Sequence, residues 1–146
     1  MSEKTPQSFA NHSKMVPGYH YVLFGILTIN LLYAGWHLFQ EPGLETGRQL
    51  VVGFAAVLMA WYLRIFPLTV QDRLIRLEMQ LRLQKVLPAD LAARVGELQR
   101  HHFVALRFAP DAELPELVRR VLGGELTSGK EIKQAIKNWQ PDYLRC

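Results

Sequence analysis

The chain has 146 residues, with 17 Lys and Arg against 13 Asp and Glu for a formal charge of +4, and its single cysteine is Cys146. One thiol excludes a disulfide framework or a cysteine-ligated metal cluster within one chain. Hydrophobic residues make up 49% and charged residues 21%, a balance that suits an ordinary soluble domain poorly unless the apolar residues cluster, so the placement of the basic excess matters more than its size.

Residues 1–17 read as an extended polar tail. The stretch "YHYVLFGILTINLLYAGWHLF", Tyr19 to Phe39, then carries no formal charge, and about 21 residues of helix rise roughly 31 Å, enough to span a bilayer. A turn, "QEPGLETGR", leads to a second apolar run from Gln49 to Phe66, whose one charge, Arg64, stands where its stem can snorkel to the headgroups. A secretory signal would have a short basic lead, a run of about 7 to 15 apolar residues and a small-residue cleavage site. The long lead, the long run and the second run predict a retained hairpin anchor over 18–67.

Basic residues flank this hairpin on one side. Lys4 and Lys14 precede it and Arg64, Arg73, Arg76, Arg82 and Lys85 follow, whereas the turn holds Glu41, Glu45 and Arg48. The positive-inside tendency therefore predicts a multi-pass protein of the bacterial inner membrane with both termini cytoplasmic. Tyr19, Tyr21, Trp61, Tyr62 and Phe66 would line the inner interface, and Trp36 and Phe39 the outer one. Gly53, Ala56 and Ala60 recur at i, i+3 and i+7, a small-residue face that lets another helix approach. Asn30 at mid-span needs a polar partner. Both features fit contact within the hairpin or docking of another membrane subunit.

From 68 to 146 the pattern is that of short helices with little strand signal, so the fold class is all-α: a transmembrane hairpin followed by a cytoplasmic helical region, short enough to build only a modest core. "VQDRLIRLEMQLRLQKVL", 70–87, has two apolar stripes, Val70, Leu74, Leu77 and Leu81 on one side and Ile75, Met79, Leu83 and Val86 nearly opposite, which predicts burial from two directions. Asp72 with Arg76 and Glu78 with Arg82 are acid-before-base pairs at i, i+4. Pro88 ends this helix. A short helix to Leu98 follows, then a largely buried one from Arg100 to Ala109. Asp111 is expected to cap "DAELPELVRRVL", with Pro115 in its first turn and Gly123 and Gly124 at its end. Ser128 and Glu131 form a capping box for a last helix with Ile132, Ala135, Ile136 and Trp139 on one face and Lys130, Lys133 and Lys137 on the other, ended by Pro141.

The residues "FANH" (9–12), Pro17, Tyr19, His20, "QDRLIRLE" (71–78), "ALRFA" (105–109) and "KEIKQAIKNWQPDYLR" (130–145) carry a resemblance along nearly the whole chain. It resembles a family of short two-span bacterial membrane proteins known as a domain of unknown function. The resemblance implies the architecture and brings no catalytic or binding residues with it.

Phosphate-binding glycine loops, H-E-x-x-H, C-x-x-C and G-x-S-x-G are absent from the sequence. Glu97 and His101 lie four apart on an expected helix and could face one metal, but a third ligand is not visible, and the bland reading is a surface pair. His101 and His102 would diverge by about 100° on a helix. His20 and His37 stand at opposite ends of one span, so a haem site would need a second chain, and hydrogen bonding at the interface is the simpler role. Neither a cofactor nor a catalytic group is expected. Lys130, Lys133 and Lys137 with Arg119, Arg120 and Arg145 form the strongest ligand signal, a basic face that could attract anionic lipid at about 1 kcal/mol per charge, the alternative being a solvated helix face. Nucleic acid is disfavoured, because no groove-reading element or aromatic platform accompanies these charges. The expected function is a non-catalytic accessory or scaffold subunit of a larger membrane complex; a membrane-tethered module binding anionic lipid or nucleic acid through the basic face is the alternative.

Overall fold

The computed structural model describes residues 7–9 and 15–142, and the elements among them are all helical. The chain divides into two compact units, one spanning 15–68 and the other 69–146 with the N-terminal tail.

In the first unit, α1 runs from Gly18 to Gln40 and opens with a π-helical segment, Gly18–Leu23. Pro17 precedes it at a position where a missing N–H leaves no helical bond unmade. A tight turn at 41–43 leads into α2, Leu44–Val86. The helix begins five residues earlier than the apolar pattern indicates. The reason is Thr46, which is buried, accepts a hydrogen bond from the Gly43 N–H at 3.0 Å and lies 2.8 Å from the Glu41 carbonyl, so one hydroxyl closes the turn and starts the helix. Pro67 lies inside α2, where its ring removes one rung of the ladder while the helical residues on each side keep theirs. Both α1 and α2 are long and apolar enough to cross a membrane by length and composition.

The second unit is built on residues 69–86 of α2, followed by α3 (Ala89–Ala92), a 3-10 turn (Val95–Glu97), α4 (Arg100–Leu106), α5 (Leu114–Leu122) and α6 (Gly129–Ala135). Its core is fuller than so short a stretch suggests. Ile75, Met79 and Leu83 from one stripe of α2, with Leu87 just past its end, meet Phe103, Leu106, Leu114, Leu117, Val118 and Ile132, each contributing about 1.5–3 kcal/mol of burial free energy. The tail reaches this unit: the Gln7 amide donates to the Asp142 carbonyl at 3.3 Å and accepts the Asp142 N–H at 2.7 Å.

Several expectations hold and several are corrected. Ser128 and Glu131 form the reciprocal capping box of α6, Pro115 lies in the first turn of α5, and Gly124 stops that helix with φ of 78°, a conformation glycine adopts freely. Asp111 does not cap α5, whose N-cap is Glu113; its carboxylate is engaged by Arg82 instead. α6 ends at Ala135, with Ile136 in extended backbone, short of the predicted run to Trp139 and Pro141. Glu113 draws the chain away there by accepting the Lys137 N–H at 3.0 Å and the Asn138 N–H at 2.9 Å. Residues 70–86 are buried from one direction only: Val70, Leu74, Leu77 and Leu81 are exposed.

Candidate functional site

The polar chemistry of the helical region converges on Arg82. Its Nε donates to Asp111 Oδ1 at 2.7 Å, and Nη2 donates to the Ala109 carbonyl and to Gln140 Oε1, each at 2.9 Å. The predicted pair with Glu78 gives way to these partners, and Asp72 lies 3.9 Å from Arg100 rather than pairing with Arg76. A nearby and more deeply buried cation is Arg107, whose Nε is 3.1 Å from Asp142 and whose guanidinium lies 4.4 Å from the Phe108 ring centroid. Phe108 in turn stacks on Trp139 at 4.5 Å and 18°. A cavity of about 290 Å³ lies beside these cations, lined also by Leu74, Ile75, Glu78 and Met79. Sequence reading missed this cluster. Its signal is a lone arginine inside the apolar run "FVALRFA" (103–109), which marks a charge that must be buried with a partner.

The basic residues do not share one helix face. Lys130 is exposed on α6, the Lys133 ammonium lies 5.7 Å from the Phe108 ring centroid, and Lys137 stands beyond the helix end. Arg119 donates to Glu116 at 2.6 Å and Arg120 to Glu125 at 3.1 Å, so each arginine has an acid beside it. Arg145 lies outside the described residues.

In the hairpin, Gly53 and Ala60 are buried and Ala56 is half-buried. A Cβ on Gly53 would lie 3.4 Å from Asn30 Oδ1 and 3.5 Å from a Leu31 methyl, so the two helices meet closely there. Asn30 also lines a cavity of about 290 Å³ with Tyr33, Arg48 and Gln49. At Ala60 the small side chain leaves the backbone reachable, and the Tyr19 hydroxyl donates to its carbonyl.

Glu97 and His101 lie on separate elements, which removes the shared helix face that a metal would need. Glu97 accepts from Arg94 Nε and Nη2, each at 2.8 Å, and the His101 ring lies 2.9 Å from the Thr127 carbonyl. His20 turns back to the Val16 N–H at 3.1 Å, and His37 lies 3.4 Å from Gln49 Oε1 across the hairpin. His102 accepts the Gln99 N–H at 3.1 Å, completing a capping box for α4; burial and then the His101 neighbour hold its pKa below the ordinary histidine value.

Fold and side chains thus define an all-helical protein with two helices apolar enough to cross a bilayer and a compact helical region whose polar groups are largely engaged with one another. The chain belongs to the family of unknown function DUF6526, whose model matches residues 1–146. No curated protein and no solved structure matches it.

Proposed function

We propose that this protein is a non-catalytic scaffold or accessory subunit of a membrane complex, held in the bacterial inner membrane by the α1–α2 hairpin with both termini cytoplasmic. The observation that carries the reading is apolar surface with nothing to cover it. The hairpin helices bury little of their apolar length, and exposed Val70, Leu74, Leu77 and Leu81 continue the pattern beyond it. Lipid covers the first kind of surface, whereas an exposed aliphatic stripe outside the apolar spans calls for a protein partner. The Gln7–Asp142 clasp supports a topology with the tail and the helical region on one side of the membrane.

Arg119 and Arg120 each have an acid beside them, whereas Lys130 and Lys137 stay exposed, so the preference for scaffolding over a basic face for anionic lipid or nucleic acid rests on the uncovered apolar stripe.

The test is alkaline extraction of native membranes, with reporter fusions at each terminus, followed by mild-detergent purification and mass measurement of the intact assembly. Retention in the membrane pellet, cytoplasmic reporters and an assembly of fixed stoichiometry are expected. Release by alkali overturns the anchor, and a monomer in mild detergent overturns the scaffold.

A further inference from the structure

We infer that the exposed stripe of α2 is a self-association seam through which two copies of this chain pair in parallel over residues 70–81. Val70, Leu74, Leu77 and Leu81 are spaced four, three and four residues apart, the alternation of a heptad coiled-coil seam. Their exposures are 66, 54, 54 and 53%, while Ile75, Met79 and Leu83 on the opposite side bury into the core. The seam is therefore free, and the helix that carries it is already held by its other face.

The flanking charges select the occupant. With Leu74 and Leu81 at the a positions and Val70 and Leu77 at d, Arg73 occupies g and Glu78 the following e. Residues at g and at the next e of the facing helix, five apart in sequence, meet in a parallel pair. Each copy's Arg73 then faces the other's Glu78, and symmetry makes the contact twice. Both residues are exposed, and neither takes part in an ion pair among the described residues. An antiparallel pair would lose this match, because it brings g against g and e against e.

A bilayer surface fits less well. Helices that lie on membranes present a broad apolar face with aromatic residues and basic borders; this stripe is narrow and wholly aliphatic, and one border carries Glu78. Two heptads are short for a coiled coil in free solution, so the inference rests on the membrane reading. Anchors inserted with one topology hold neighbouring copies parallel and raise their effective concentration.

The test uses the full-length chain with Cys146→Ser, so that introduced thiols are the only ones. Leu77→Cys and, separately, Leu74→Cys are treated in native membranes with a short bismaleimide, alongside Asp90→Cys, an exposed position off the seam. Dimers at 74 and 77 and none at 90 are expected. Adding Arg73→Glu should lower the cross-linked fraction by about fivefold, as two weak attractions become repulsions, and adding Glu78→Arg to that variant should restore it. Monomers at both seam positions overturn the inference, as does a charge swap that restores nothing. An adduct with a different protein assigns the seam to that partner, and protection of both thiols from a water-soluble maleimide without dimer formation assigns it to lipid; either outcome overturns self-pairing. Alkaline extraction of the same samples reads the anchor separately. If the protein is released, the cross-linked fraction in the supernatant still decides: dimers there keep the seam without the membrane, and monomers remove both.

Discussion

Arg82 Nε and Asp111 Oδ1 stand 2.7 Å apart although 29 residues separate them in sequence. The same guanidinium also holds the Ala109 carbonyl and Gln140, so one fork fastens α2 to the segment after α4 and to the chain's final stretch. Arg82→Ala should destabilise the helical region by about 2–4 kcal/mol, because charged hydrogen bonds are lost and their acceptors stranded. Arg82→Lys should recover little, since an ammonium cannot reproduce the fork. Thermal unfolding of the detergent-solubilised full chain, followed by near-ultraviolet circular dichroism, checks this; an equal loss for Asp111→Ala would show that the exposed ion pair, not the fork, carries the effect.

What the sequence discloses about this protein is what depends on neighbours within a few residues. Pro115 in a first turn, the stop at Gly124 and the Ser128–Glu131 box are local, and each has the position expected of it, while the two apolar runs fall within α1 and α2. Charge partners are different. Arg82 has Glu78 within reach on its own helix yet binds Asp111, because a distant carboxylate that comes with two further acceptors outweighs one exposed pair worth a few tenths of a kcal/mol. The same competition ends α6 early: continuing the helix would pass the Lys137 and Asn138 amides to the carbonyls of Lys133 and Gln134, whereas the Glu113 carboxylate, a charged acceptor, takes both. The number of apolar stripes on 70–86 is also legible, but not which stripe the chain buries, since that depends on how much partner surface the rest of the fold supplies.

Gly53 sets how closely the hairpin helices approach. The position of an added Cβ, 3.4 Å from Asn30 Oδ1 and 3.5 Å from Leu31, is ordinary contact, so Gly53→Ala should change stability by less than about 0.5 kcal/mol. Gly53→Leu must displace Asn30 or Leu31 and should cost about 1–3 kcal/mol. Unfolding in mixed micelles at increasing mole fractions of dodecyl sulfate gives both values; equal midpoints for the leucine variant and the parent would show that the helices do not pack through this residue.

Trp139 lies outside α6 and covers Phe108, which is fully buried. Trp139→Ala uncovers that ring and should cost about 1.5–3 kcal/mol, whereas Trp139→Phe, which keeps a stacking surface, should lose less than half as much. Urea titration in mild detergent separates the two. Similar losses for both would assign the role of Trp139 to its indole N–H rather than its ring face.

Acid should weaken the helical region in two steps. Burial, with His101 beside it, holds the His102 pKa below 6.5 against the opposing pull of the Thr127 carbonyl, so the unfolded chain takes up that proton more readily than the folded one. Stability from this group is complete above the ordinary histidine value and declines as pH falls from there toward the lowered folded value. Protonation then threatens the capping box, because the free Nδ1 is the atom that accepts the Gln99 N–H. The second step belongs to two carboxylates. Glu131 is held below 4.5 by the Ser128 and Thr127 N–H groups, and burial raises Glu113 less than the Lys137 and Asn138 donors lower it. Their contribution is complete above 4.5 and is lost as pH falls through their lowered values. His102→Gln keeps a side-chain acceptor for the cap without a titrating ring, so it should abolish the first decline in melting temperature and leave the second. Glu131→Gln combined with Glu113→Gln should do the reverse. A first decline that survives His102→Gln would assign that proton uptake to another group and detach the α4 cap from the pH response.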